Sequence, residues 1–519
     1  MLVKTYGAAV SGIDAIIVTV ETVLDRGFRY CIVGLPDTAV RESHERVRSA
    51  LAQSGFEMPR KSVTINMAPA DVRKEGAAYD LTIALSMLAA AEKVDASVLA
   101  EYVVMGELSL DGSIMPVRGV LPMAIEARAR GFKGMIVPAA NATEAAVVNR
   151  LDVFGASTLA EVVGHLTGKA PLQPVVVDTR AEFAAGAQFF DCDFSDVRGQ
   201  ENVKRAFEVA CAGGHNIILI GPPGSGKSMM AKRLPSIMPP LSLGEALETT
   251  KIHSVAGKLR RGSRLMTARP FRSPHHTVSP VAMVGGGSNP LPGEISLAHN
   301  GVLFLDEFPE FPRTVLEVLR QPLEDRHISV SRARYSVDYP ASFMLVASMN
   351  PCPCGYYNHP RRECTCHAGQ VAKYLGRISG PLLDRIDIQV EILPVEIDEL
   401  TSGPAGEASA DIRARVVAAR DIQARRFASE PQIHCNAQMT SRLMAAHCRL
   451  DPQAEAILKK AIVKYDMSAR AYDRILKVAR TIADLDASDA IMPRHISEAV
   501  GYRTLDRSTW GTRPGGPLA

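Results

Sequence analysis

The sequence predicts a multidomain α/β protein that closes with a helical region, and three observations carry that prediction. An apolar run, 216–220, leads directly into a glycine-rich stretch that ends in Lys227 and Ser228. β-Branched runs alternate with helix-spaced segments across residues 1 to 168. After residue 410 the apolar spacing settles to 3.6. The chain has 519 residues, with 59 Lys+Arg against 56 Asp+Glu and a net charge of +3. That length suggests about three domains. The near balance of charge excludes a generally polybasic surface, so any nucleic-acid contact must be concentrated locally. The longest apolar run, Leu81 to Ala91, is too short to span a bilayer. The opening stretch, MLVKTYGAAVSGID, turns polar too early for a secretory signal. Nine cysteines, an odd number, without such a segment point to a reducing compartment. A cytoplasmic protein without membrane contact is expected.

Along the chain, residues 16–20, 30–33 and 62–65 read as strands. Residues 38–53 carry apolar side chains at helical spacing, with Asp37 or Thr38 as the cap. The proline-containing stretch 169–186 lacks periodicity, which sets a first domain at 1–168 and a linker at 169–190. Strand, glycine loop and helix then alternate through a second domain, 191–395. Residues 401–410 (TSGPAGEASA) form a second break. The region 410–506 should be helical, as 471–479 illustrates, and 507–519 should be a frayed tail.

Gly221-Pro222-Pro223-Gly224-Ser225-Gly226-Lys227-Ser228 satisfies the P-loop pattern in its proper context, between a buried strand and a helix starting near Met229. The glycines let backbone N–H groups turn toward phosphate oxygens. Lys227 supplies a point charge at the β/γ-phosphates, and Ser228 would ligate Mg²⁺. Downstream, 301–305 is an apolar strand run that ends in Asp306 and Glu307. After a P-loop this reads as a Walker B pair. Asp306 would hold the Mg²⁺ shell, and Glu307 would polarise the attacking water. ATP and Mg²⁺ are therefore the expected cofactors. A strand over 343–347 leads to Asn350, placed to orient the lytic water. Arg385, at a helix end, would either neutralise a neighbour's γ-phosphate or pair locally with Asp384 or Asp387.

These residues resemble the magnesium-chelatase-like AAA+ ATPases, and within them the competence protein ComM (YifB) family. The resemblance spans nearly the whole chain. It rests on FSDVRGQENVKRAFEVACAGGHNIILIGPPGSGKS, RPFRSPHHTVSPVAMVGGGSNPLPGEISLAHNGVLFLDEFPEF, MNPCPCG and GPLLDRIDI. It implies an AAA+ P-loop core, a C-terminal helical lid and a homo-oligomeric, hexameric ring motor. The motor would drive branch migration on single-stranded or branched DNA during recombination of incoming strands. It also implies that Asn350 is the sensor 1 residue, Arg385 the arginine finger and Arg470 the sensor 2 residue. Arg474, one turn on, is the rival to Arg470.

Lys74 to Asp80 and Met105 to Gly112 resemble the Lon protease domain, which uses a Ser nucleophile and a Lys. Here those positions are Ala78 and Leu121, and neither side chain can attack a carbonyl or take a proton. The resemblance implies a Lon-like fold over 1–168 without the dyad's proteolysis.

Two further clusters stand out. Residues 249–293 hold seven Lys/Arg and no Asp or Glu, together with His253, His275 and His276. Lys258, Arg260 and Arg261 from this window, and Arg332 and Arg334 on a hairpin expected over 326–338, are the candidate DNA contacts. The glycine-rich stretch 284–290 is expected to be an irregular, mobile loop. Cys352, Cys354, Cys364 and Cys366, with His359 and His367 nearby, suit a structural Zn²⁺ in an insertion over 352–366. Iron–sulfur ligation and unpaired thiols are the alternatives. A chelatase motor for metal insertion into a porphyrin is the competing function, since it would share the ATPase machinery but need no basic pore.

Overall fold

The computed structural model describes residues 2–186, 190–259, 264–287, 290–332, 335–395, 406–430, 432–465 and 467–503, which divide between two compact units. The first unit takes in residues up to 186, together with 242–267 and 290–292. Its sheet comprises β1 (Leu2–Ser11), β2 (Asp14–Asp25), β3 (Tyr30–Val33), β4 (Ser62–Ala68), β5 (Tyr102–Val104), β6 (Gly134–Pro138) and β7 (Asp152–Ala156). The strand order is β3-β4-β2-β1-β5-β6-β7, with antiparallel pairs at β1/β2 and β2/β4 and parallel pairs elsewhere. The three expected strand runs fall in β2, β3 and β4. The expected helix over 38–53 breaks at Glu42 into Thr38–Arg41 and Ser43–Gln53, and Asp37 is the cap, accepting from Val40 N at 2.8 Å. The longest apolar run becomes the helix Asp80–Ala90, whose residues 80–89 are all buried. No described helix is long and apolar enough to cross a membrane.

Two segments depart from the sequence reading. Of the stretch assigned as linker, 169–190, residues 169–186 are built into the first unit. Val175 N donates to Val153 O of the edge strand β7, and Asp178 caps a helix, Thr179–Gly186, through the backbone N–H groups of Arg180 and Ala181. An edge strand has free carbonyls to offer, and the Ala-rich stretch favours helix. The segment 242–267, which overlaps the start of the basic window, also belongs to this unit. Ser242 and Glu245 form a capping box that starts the helix Leu243–Val255, which packs on the helix Val120–Ala129. Ser254 Oγ donates to Glu144 at 2.5 Å.

The second unit is built on a five-stranded parallel sheet: β8 (Ile217–Ile220), β9 (Phe271–Arg272), β10 (Val302–Leu305), β11 (Met344–Met349) and β12 (Ile388–Glu391), in the order β9-β10-β11-β8-β12. β8, β10 and β11 are buried along their whole length, as near-continuous apolar strands covered on both faces must be. This order puts β8 between strands reached from opposite directions, where ligands of such sheets bind, beyond the carboxyl ends. The C-terminal helices Ser409–Arg426, Ala469–Leu485 and Pro493–Gly501 share one apolar core with the sheet, through Phe207, Ile217, Leu234, Val416 and Ile482. Half of the expected 401–410 break, 401–405, and all of the expected tail lie outside the described residues, while Ser409 and Ala410 already belong to a helix.

A buried polar hub joins those helices to the sheet. Asp387, fully buried just before β12, accepts from Arg474 at 2.9 Å and from Asn216 N at 3.0 Å, with His215 Nδ1 3.5 Å away. His215 Nε2 in turn meets Thr481 Oγ1 at 2.8 Å. Burial alone would raise the carboxyl's pKa. Arg474, His215 and the Asn216 N–H outweigh it and hold Asp387 below the usual carboxylate range. Its contribution is therefore complete at neutral pH and is lost only as pH falls below the unfolded-state value of 3.8 toward the folded one. Asp387→Ala should cost about 3–5 kcal/mol, because it strands a partly buried guanidinium. Urea unfolding at neutral pH checks this, and a loss under 1 kcal/mol would show that the hub is not a tether.

Candidate active site

Gly221 N donates to Met349 O at 3.1 Å, so the loop after β8 begins clamped to the end of β11. Gly224 and Gly226 then take φ of 78° and 87°, which L side chains rarely adopt, and the helix Lys227–Ile237 follows. That helix begins two residues earlier than the sequence reading, on the lysine itself. Lys227 is buried, and its Nζ donates to Gly221 O (2.7 Å), Pro222 O (2.8 Å) and Asn350 Oδ1 (3.3 Å). Burial pushes its ammonium down from the ordinary lysine value, and Asp306 pulls it back up. Ser228 Oγ donates to Asp306 Oδ2 at 2.5 Å. Ser348 Oγ donates to the other carboxylate oxygen, which also accepts from Glu307 N at 3.0 Å. Lys227, Ser228, Asp306 and Asn350 thus converge at the carboxyl ends of three adjacent strands. Ser348, the penultimate residue of a buried strand, joins them without any motif to announce it.

Glu307 adopts φ 53°, the left-handed region that a glutamate occupies only when its surroundings hold it there. Its side chain is 60% exposed and lies 3.3 Å from His276 Nδ1. His276 leans on His275, with ring centroids 4.0 Å apart. The sequence reading grouped both histidines with a phosphate-contacting window, whereas the structure sets His276 against Glu307. Arg385 is buried and bonded to Arg320 O (3.1 Å), Pro381 O (2.6 Å) and Glu324 (2.6 Å). Its ion-pair partner is neither Asp384 nor Asp387. Those two carboxylates face Arg470, at 3.6 Å, and Arg474, at 2.9 Å. Arg470 is 63% exposed, whereas Arg474 is held in the buried hub.

Three family models match the chain. Magnesium chelatase, subunit ChlI covers 193–400, subunit ChlI of Mg-chelatase covers 20–141, and the subunit ChlI C-terminal model covers 406–503. The competence protein ComM of Haemophilus influenzae is 42% identical over 98% of both chains. The uncharacterised protein YifB is 46% identical in Escherichia coli, over 96% of both chains, and 45% identical in Salmonella typhimurium, over 98% of both. The chain belongs to the magnesium-chelatase-like ComM/YifB family. Membership in this AAA+ family implies use of ATP and Mg²⁺, for which Lys227, Ser228 and Asp306 offer the ammonium, hydroxyl and carboxylate.

In this ComM/YifB chain, the remaining candidates are placed as follows. The Sγ atoms of Cys352, Cys354, Cys364 and Cys366 all lie within 4.8 Å of one another. Ala78 sits in the single turn Ala77–Tyr79, and Leu121 is buried in the helix Val120–Ala129. The hairpin forms as His327–Arg332 paired with Tyr335–Pro340. Arg332 ends its first strand, while Arg334, Arg260 and Arg261 lie outside the described residues. Lys258 is exposed.

Much of the basic window is engaged within the fold. Lys251 pairs with Asp14, and Arg272 makes two 2.7 Å bonds to Glu294. Arg269 donates to the carbonyls of Pro239 (2.6 Å), Pro240 (3.1 Å) and Asn300 (2.7 Å). Their partners lie outside the window, so its charge asymmetry did not reveal them. The expected irregular loop 284–290 is partly ordered: Ser279 caps the helix Pro280–Val284, and Gly285–Gly286 form a short strand. Ser288 and Asn289 lie outside the described residues.

The roles expected of Lys227 and Glu307 separate grip from turnover. Lys227→Ala should abolish ATP binding, while Glu307→Gln should bind ATP and fail to hydrolyse it. Equilibrium binding and steady-state hydrolysis on the two variants check this, and normal turnover by Glu307→Gln would remove the role given to Glu307.

Proposed function

We propose that this chain is an ATP-hydrolysing motor that acts as a homo-oligomeric, six-membered ring on single-stranded or branched DNA, promoting branch migration or unwinding during recombination of incoming strands in natural transformation. The observation that carries the motor half is the convergence of Lys227, Ser228, Asp306 and Asn350, with Glu307 beside them. In this reading Gly221 to Ser228 wrap the phosphates, Ser228 and Asp306 serve Mg²⁺, Glu307 polarises the water and Asn350 orients it. The DNA half is supported by the relatives. One carries the name competence protein. A distant one, 23% identical over 61% of this chain, is named a maternal DNA replication licensing factor (mcm6) in Xenopus tropicalis. Arg332 and Arg334, with Lys258, Arg260 and Arg261, are the proposed phosphate contacts, and Arg470 is the proposed sensor 2 residue. Cys352, Cys354, Cys364 and Cys366 would hold one structural Zn²⁺, with all four positions filled by protein.

Arg385 is the proposed arginine finger acting on the neighbouring subunit, and within one chain it is locked to Glu324. Its use in trans therefore requires that pair to open as subunits close. Arg385→Ala should keep nucleotide binding and lose hydrolysis. Mixed rings of Arg385→Ala with Glu307→Gln should regain part of the turnover, and no rescue in verified mixed rings would contradict a trans role. Neutralising Arg332 and Arg334 together should weaken forked-DNA binding across all sequences. It should also lower the salt slope by about one unit per lost phosphate contact, with basal hydrolysis kept. Unchanged binding and unwinding at every salt would remove the hairpin from the DNA path.

A further inference from the structure

The four-cysteine segment starts two residues after Asn350 and folds back onto the phosphate-binding loop. Cys352 is fully buried and accepts from Tyr357 N at 3.3 Å. Its Sγ lies 3.3 Å from that of Cys354 and 3.7 Å from that of Cys364, and the last two are 3.6 Å apart. A tetrahedral Zn²⁺ with Zn–S bonds of about 2.3 Å demands sulfur–sulfur edges of about 3.8 Å, so the thiols stand close to ligand spacing. The apolar support is small, with Tyr357, Val371 and Leu375 packed against the cysteines. A core of that size does not hold a loop by burial alone, and cross-linking must supply the rest. Gly355 sits at the tip of this knuckle with φ 85°. A Cβ there would lie 2.6 Å from Pro223 Cδ and 2.9 Å from its Cγ, so the knuckle's backbone is pressed directly against the P-loop. Asn350, at the knuckle's other end, touches Lys227.

We propose that metal occupancy of the four cysteines controls the grip on nucleotide: a soft divalent ion, Zn²⁺, holds the Gly355 knuckle against Pro223 and so keeps the P-loop in its phosphate-binding shape. This rests on the four-cysteine reading given above and adds to it a function in nucleotide binding. Losing one ordered phosphate contact corresponds to a weakening of about tenfold.

The test measures the affinity of the full chain for a fluorescent ATP analogue, alongside zinc content by elemental analysis and fold by circular dichroism. The parent should carry one zinc per chain. Stripping it with a chelator should weaken binding about tenfold, and adding Zn²⁺ alone should restore it. Cys354→Ser should match the stripped protein. Gly355→Ala should retain the zinc yet bind the analogue about as weakly, because its new methyl group displaces Pro223. Gly355→Ala protein that keeps its zinc and binds like the parent would overturn the coupling, as would stripped parent with undiminished affinity. Parent protein without bound metal would overturn the four-cysteine reading itself, a failure distinct from the other two.

Discussion

Asp306 is the residue around which the candidate nucleotide site is built. One carboxylate oxygen accepts from Ser228, at the start of the P-loop helix, and the other from Ser348, near the end of β11. The same carboxylate takes the backbone N–H of Glu307 and so helps hold that residue in its left-handed conformation. Three chain segments far apart in sequence therefore meet on one group. The parallel sheet makes this possible, because β8, β10 and β11 end side by side and present their following residues to one crevice. Lys227 completes the arrangement from below: its ammonium is buried among carbonyls, where a charge persists only because oxygen atoms surround it.

A second buried carboxylate governs a different join. Asp387 links the start of β8, through Asn216 and His215, to Arg474 on the helix Ala469–Leu485. Lys227 and Asp387 thus sit near opposite ends of β8, one among the carbonyls of the glycine-rich loop and the other facing the C-terminal helices. Arg470, one turn before Arg474 on the same helix, is largely exposed and faces Asp384.

The parts legible in the sequence are those where chemistry or periodicity fixes local spacing. Gly221 to Ser228 could be read because phosphate binding demands glycines, a lysine and a hydroxyl at set intervals. The strands around 16–20, 62–65 and 216–220 could be read because burial imposes a pattern on every residue. Long-range pairing was not legible. Nothing near Arg385 announces Glu324, nothing near Glu307 announces His276, and the basic stretch after residue 249 shows its arginines without the carbonyls and carboxylates that receive them. The same limit hid the placement of 242–267 in the first unit, since a capping box marks where a helix starts and not what it packs on.

The central claim is that the Lys227–Asp306–Glu307 chemistry serves movement on DNA. The most direct measurement is the steady-state ATP hydrolysis rate of the full chain with and without forked DNA, at two salt concentrations. The account predicts stimulation by the fork that declines as salt rises, because phosphate contacts are lost with released counterions. A rate indifferent to DNA at both salts would contradict it and would favour a chelatase-type motor instead.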